Sequence, residues 1–424
     1  MGRMAAEVLG GLYRLAAVLA ATVALGGCST QRCVQCGSAT GAACPQPALS
    51  PPGSLQPERP PTGMPDLSGL PASLPAGHGQ AGAEVAGSYR VFQPCEVQCR
   101  AAVTYPLGNA LASESAAIGS ACYRGKKKQS SADLKSQILA YRAAEERNKA
   151  AGQAMEAFYL LGEAEVSRDL VRRSKAQIAA MLDDVNRLQQ QGIRLEKGLA
   201  DLRRQWPEAL DQEAQVRLSA EQLNSRLRQL VGLCPENAEP IWPAVDWKVV
   251  AEPLDEQAAI CEGLRHRADV GAAAMLAQSV DDDNLEGAGA AMAMITGMPA
   301  GGHSHRSGEA DSRRSQFNQL YAGRRQAATE EIRLAVRTVE IRLQQIAIAK
   351  LKVDRAAEQI ETLRLRRARP EGGVTVLDVG AAELQLIQRQ GDLVHQAAAW
   401  RIAQAKLKEA QGLLAVECGV GCGP

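Results

Sequence analysis

Ile332, Val339, Ile346, Val353 and Ile360 recur every seven residues, five times in succession. A sevenfold apolar repeat lays one stripe along an α-helix; a β-strand, whose faces alternate at every second residue, cannot gather it on one side. Val336, Leu343 and Ala357 form a companion row that Lys350 interrupts, and Leu334, Ile341 and Ile348 form a third row on another flank. A two-stranded coiled coil needs one seam. Two seams predict packed neighbours on more than one side, from a second hairpin or from other copies in a ring. The pattern predicts a helix from about Arg313 to Ala368, roughly 80 Å long at 1.5 Å per residue. Arg369-Pro370-Glu371-Gly372-Gly373 ends it, and Val376 to about Leu414 returns with Leu384, Ile387, Val394 and Leu407 on the inner face.

The first half carries the same design. From Asp133 to Pro207 there is no proline, and Val171, Ile178, Val185, Gly192 and Leu199 stand seven apart beside a second row, Met181, Leu188, Leu195 and Leu202. Gly192 and Gly198 mark a hairpin tip. The return helix is expected to run to about Val231, with Trp206-Pro207 as a kink or a late restart. Leu218, Leu223, Leu227 and Leu230 extend its apolar face, and Gly232 stops it. A long helix, a glycine tip, a return helix and a stop at Gly232-Leu233 or Gly412-Leu413 recur in both halves, which reads as an internal duplication.

The stretches between are less regular. Residues 86–132 are an irregular docking segment in which Ser88 to Phe92 reads as a short strand or an extended stretch, and Lys126-Lys127-Lys128 reads as a solvated linker. Residues 233–312 form a connector broken by Pro235, Pro240, Pro243 and Pro253. In it Trp242 and Trp247 are expected to pack on the helices, one helix is expected from about Leu254 to Gln278, and a loose stretch from Gly287 to Gly308. The two hairpins thus span 133–232 and 313–415, followed by a Cys/Gly tail at 416–424. The fold expected is all-α: two long antiparallel coiled-coil hairpins with little β structure.

At the N-terminus, Leu15 to Ala24 is apolar or small apart from Thr22, which suits the core of a signal peptide over residues 1–27 and is too short to span a bilayer. It ends in Leu25-Gly26-Gly27-Cys28, which resembles the bacterial lipobox; that resemblance implies cleavage before Cys28, acylation of Cys28 and, with Ser29 next, the outer membrane. Residues 28–85, rich in Pro, Gly and Ser, read as a disordered tether. Of eleven cysteines, ten remain beside Cys28; an even set in an exported chain favours disulfides, with the connectivity open. Cys33-x2-Cys36 lacks the second pair of a zinc site.

Balanced charge, 48 basic against 47 acidic residues, argues against nucleic acid as a partner. Aromatic residues make up 3% of the chain, fewer than a compact enzyme core uses. There is no Gly-x-Ser-x-Gly, no phosphate-binding glycine loop and no His-Glu-x-x-His. His303 and His305 sit in a glycine loop without a third ligand, His266 between two arginines reads as a surface residue, and Asp281-Asp282-Asp283 reads as a solvated turn. No enzyme activity, cofactor or metal is expected.

Four places resemble the outer membrane efflux protein (TolC-like) family. Gly373-Val374-Thr375-Val376-Leu377-Asp378-Val379 is similar to the family's Gly-x-x-x-Leu-Asp-Val tip, and Arg187 to Gly192 is a looser version of it. Leu223-Asn224 followed by Leu230-Val231-Gly232-Leu233-Cys234-Pro235 is similar to the family's leucine-rich stop. Arg267-Ala268-Asp269-Val270-Gly271-Ala272 resembles the Arg-Pro-Asp-Leu-x-Ala motif that opens its second repeat. The resemblance covers about 134–415. It implies a homotrimer whose helices form a periplasmic tunnel, and tips that meet a periplasmic adaptor protein serving an inner-membrane pump. By position, Gly192, Gly373, Leu377, Asp378 and Val379 would be docking-tip residues. Read from the residues alone, Gly373 serves a turn, Asp378 caps a helix, and Leu377 and Val379 pack. The resemblance also implies membrane strands between the long helices, and no alternating stretch of nine to eleven residues occurs at either place. The chain is therefore read as the helical part of an efflux component with reduced or missing barrel strands, the alternative being a non-conducting structural coiled-coil lipoprotein of the envelope.

Overall fold

The computed structural model describes residues 89–121, 125–192, 196–234, 239–249, 253–296, 308–369 and 373–420. The signal segment, the tether, Cys28 and the His303–His305 loop lie outside them. Almost everything described is helical. Two strands, β1 (Arg90–Phe92) and β2 (Ile241–Pro243), pair in parallel with Val91 opposite Trp242. The helices are α1 (Pro94–Thr104), α2 (Pro106–Ser120), α3 (Lys126–Gln190), α4 (Glu196–Leu230), α5 (Glu256–His266), α6 (Ala268–Ser279), α7 (Leu285–Thr296), α8 (Glu309–Arg367), α9 (Val376–Gln411) and the short α10 (Leu413–Val416).

The four long helices form a layer. Within the first hairpin α4 packs on α3; α3 packs on α9; and within the second hairpin α9 packs on α8. Helices α4 and α8 share no comparable contact and so lie at the two edges of the layer. The sevenfold row that predicted α8 is its seam: Ile332, Val339, Ile346 and Ile360 are buried and Val353 is half-buried. The companion row shifts beyond Leu343. Ala349 and Ala356 are buried there, while Lys350 stays at the margin and Ala357 is exposed, because short side chains let the helices approach where a lysine cannot be desolvated.

The duplication extends further than the hairpins. One extended residue, Tyr105 (φ −62°, ψ 116°), separates α1 from α2, and another, Arg267 (φ −68°, ψ 119°), separates α5 from α6. The stop glycines close against these same corners. Gly232 (φ +67°) meets Thr104, and Gly412 (φ +77°) meets the backbone of His266 and Arg267. A Cβ on Gly412 would lie 2.8 Å from the His266 carbonyl oxygen, in a left-handed conformation that side chains disfavour. Gly412→Ala is expected to lower the unfolding free energy by about 2 kcal/mol or more. Gly192→Ala, also at positive φ but facing open space, is expected to cost about 1 kcal/mol. Denaturant titration of the two variants checks the order.

Several local expectations are corrected. Lys126 to Lys128 form the first turn of α3, with Lys126 paired to Asp283 at 2.9 Å, and are not a linker. The helix expected over Leu254–Gln278 is two helices broken at Arg267. Of the stretch expected to be loose, residues 287–296 belong to α7, whose Ala288 and Ala291 are buried with Leu134, Ile138, Leu276 and Phe317, and residues 297–307 lie outside the described residues. Of the two readings of Trp206-Pro207, a kink or a late restart, the restart does not occur: α4 runs through Pro207. Leu218 is 55% exposed and not on the inner face. His266 is half-buried, its Nδ1 enclosed without a hydrogen bond among the described residues. Trp242 and Trp247 are buried beside α3, with Trp247 in the central core.

Among the described cysteines one disulfide forms, Cys99–Cys418, with Cα atoms 5.1 Å apart. Cys95 and Cys234 carry free thiols, against the expectation of pairing, and Cys261 carries no disulfide.

Candidate functional site: tips and edges of the helical layer

The two hairpins turn at the same end of the layer. Gly192 (φ +84°) turns the first after Gln191 closes α3, and Gly373 (φ +57°) precedes the second return. Thr375 caps α9: its Oγ1 accepts from the Asp378 amide at 3.2 Å, while the Asp378 carboxylate accepts from the Thr375 amide at 2.8 Å. This reciprocal box satisfies two amides that a bare helix start leaves open. Leu377 and Leu384 pack on a small core of Ile178, Met181, Val185, Leu199, Leu202 and Ala209 that ties the two tips together. Of the five tip residues named from sequence, Gly192, Gly373 and Asp378 are exposed, Leu377 is half-buried, and Val379 is buried with its side chain given to packing.

Below the second tip, α3, α8 and α9 enclose an open groove of about 1090 Å³. Ile360 and Ile387 line it together with Arg173, Gln177, Arg364 and Glu383. Gln177 donates to Glu383 at 2.6 Å and Arg364 donates to the same carboxylate at 2.8 Å, so these three polar groups of the groove are partnered with one another.

The third row of α8 is the most distinctive surface. Leu334, Ile341 and Ile348 are 67%, 53% and 53% exposed, and Leu351 and Leu365 join them. The sequence predicted that this row would be covered; within one chain it is not. The opposite edge carries its own apolar residues, Leu210 and Leu218 on α4. Leu218 lies 26 residues from Gly192 and Ile348 lies 25 residues from Gly373. At 1.5 Å per residue both stand about 40 Å below their tips.

At the other end of the hairpins, Arg267 holds the corner of the second repeat, between α5 and α6. It is 14% exposed, and its Nε and Nη2 donate to the two oxygens of Asp269 at 2.9 and 2.7 Å. Its Nη1 donates to the Ala410 carbonyl at 3.2 Å and to Glu331. Burial works against both charges. The carboxylates more than offset this for Arg267 and hold it charged well above the usual range, and Arg267 in turn holds Asp269 below the usual carboxylate range. The sequence marked this motif. It also marked Asn224, though without a role: the buried amide donates to the Ile241 carbonyl at 2.8 Å and accepts from its amide at 3.1 Å, fixing β2 to α4.

No protein-family model matches the sequence, and no curated protein matches it. Solved structures do match the fold. The outer membrane protein VceC of Vibrio cholerae superposes with a TM-score of 0.51 at 14% identity, covering 75% of this chain and 92% of VceC. The Campylobacter jejuni CmeC outer membrane channel gives 0.53 at 13% identity, with 68% of each chain covered. A membrane protein from Pseudomonas aeruginosa gives 0.51 at 16% identity, covering 68% of this chain and 71% of that one. The duplicated hairpin layer of this chain therefore has the TolC-like fold that these outer membrane proteins share.

Proposed function

We propose that the chain is the periplasmic tunnel part of an outer membrane efflux system, assembled as a homotrimer. One observation carries the reading: a helical layer with an uncovered apolar row on its α8 edge and exposed leucines at a matching height on its α4 edge. Such a layer is stabilised by a neighbour on each side. The two edges differ, so contact of the α8 edge of one copy with the α4 edge of the next is head-to-tail and closes into a ring when the rotation permits. The tips, with Gly192, Gly373 and Asp378 at the surface, then face a periplasmic adaptor protein and, through it, an inner-membrane pump. Cys28 is the proposed lipid anchor to the outer membrane. The Cys99–Cys418 bridge supports export, since such bonds persist in oxidising compartments. Transport in this scheme asks no catalytic residue of the chain.

The test is a cross-link between edges. With Cys95 and Cys234 replaced by Ser, Leu218→Cys combined with Ile348→Cys is expected to give, on oxidation, a ladder that stops at a covalent trimer. A product that stays monomeric would overturn the ring.

A second reading, a non-conducting envelope scaffold, has its own support. Only five residues, 121–125, connect α2 to α3. Two membrane strands need about nine to eleven residues each. Purified protein in planar bilayers separates the readings: steady conductance supports a pore, and its absence together with failure to bind an adaptor supports the scaffold.

A further inference from the structure

The contact between the two repeats runs along α3 and α9, and two ion pairs cross it among the described residues: Lys406 with Glu156 at 3.2 Å, and one that includes a histidine. His395 Nδ1 on α9 lies 2.8 Å from Glu163 Oε1 on α3, 232 residues away in sequence. The Glu163 side chain is 9% exposed and that of His395 44%. Among the described residues no other cation pairs with Glu163. The pair stands on an apolar seam: Tyr159 and Val166 on α3 and Val394 and Ala398 on α9 belong to one buried core, with Leu160 packed against it. A carboxylate so placed depends on its one partner, because a charge removed from water is costly unless matched.

We propose that Glu163 and His395 form a proton-operated clasp between the two hairpins, tight when His395 is protonated and relaxed when it is neutral. The charged groups around the imidazole are Glu163 on α3, Arg342 on α8 and, on its own helix, Asp392, which is itself paired with Arg389 at 3.1 Å. The hydrogen bond to Glu163 and its charge outweigh burial and the repulsion of Arg342, so the histidine is held above its ordinary value of 6.5. A raised folded-state value means that the clasp contributes fully below the unfolded histidine range. It is lost as pH rises through the folded value. Histidine is the side chain suited to such a transition near neutrality. The clasp lies within one chain and stands whether or not copies close into a ring.

Full-length protein in detergent, followed by hydrogen exchange of peptides spanning 155–170 and 388–402 between pH 5.5 and 8.5, tests it after correction for intrinsic exchange rates. Wild type is expected to lose protection on the seam as pH rises, by up to about tenfold per unit of histidine elevation. His395→Gln is expected to abolish that dependence, and Glu163→Gln is expected to bring the His395 titration, followed by NMR, down toward 6.5. Equal pH dependence in wild type and His395→Gln, or a wild-type His395 titrating at or below 6.5, would overturn the proposal. If His395→Gln does not fold, the wild-type and Glu163→Gln titrations decide alone: the same midpoint in both overturns it.

Discussion

Reduction of the Cys99–Cys418 bond is expected to destabilise the chain more than any single side-chain change outside the core. The bond joins α1 to the segment after α10 across 319 residues. Loop-closure entropy for a ring of that size is roughly 5–6 kcal/mol. Other contacts hold the same junction: Gln98 donates to the Leu414 carbonyl at 3.0 Å and to Glu417 at 2.8 Å, and Lys408 pairs with Glu417 at 2.7 Å. Asn148 donates to the Glu409 carbonyl at 2.8 Å. The tail should therefore stay docked in the reduced native state, and the loss should appear as a lower unfolding midpoint. Guanidinium titration with and without reductant measures it, with Cys99→Ser/Cys418→Ser as control. Reductant should shift the wild type and leave the double variant where it is. A wild-type midpoint indifferent to reductant would show that the bridge does not constrain the unfolded chain.

Arg267→Ala is expected to cost about 3–5 kcal/mol, the range for stripping one partner from a buried ion pair. Asp269 would keep a poorly hydrated carboxylate facing the corner, and the Ala410 carbonyl would lose its donor next to Gly412. Arg267→Lys should recover only part, because a point charge cannot donate to both Asp269 oxygens and to Ala410 together. Asp269→Asn with Arg267→Ala should lose less than Arg267→Ala alone, since the stranded charge is gone. Unfolding curves for the three variants test this order; equal loss in all three would mean that shape, and not charge, governs the corner.

What the sequence revealed follows from what periodicity can encode. The Ile332–Ile360 row and the Ile178–Val185 row specify helices and their buried sides, because a sevenfold repeat has only one compact solution. The same row logic found Leu334, Ile341 and Ile348, but an apolar stripe states that a face favours burial and not what covers it. Helix α7 escaped notice because Gly287 and Gly289 lower helix propensity; tertiary contact with α3 overrides that. The α1–α2 corner did leave a signal, since Pro106 restricts Tyr105 to extended backbone. The disulfide and the Glu163–His395 pair left none, their partners being hundreds of residues apart with nothing local to join them. At the tip the capping role of Asp378 was readable from Thr375-x-x-Asp378, whereas the burial of Val379 depends on how the second return helix lies on α3.

Under the proposed function, the edges of the layer close on copies of the same chain. The most direct measurement is the mass of the detergent-extracted protein, corrected for bound detergent, by sedimentation or light scattering. Three copies of the processed chain are expected for the wild type, and single copies for Leu334→Glu/Ile341→Glu/Ile348→Glu with an unchanged helical spectrum. A wild type that remains one copy at micromolar concentration would contradict the claim.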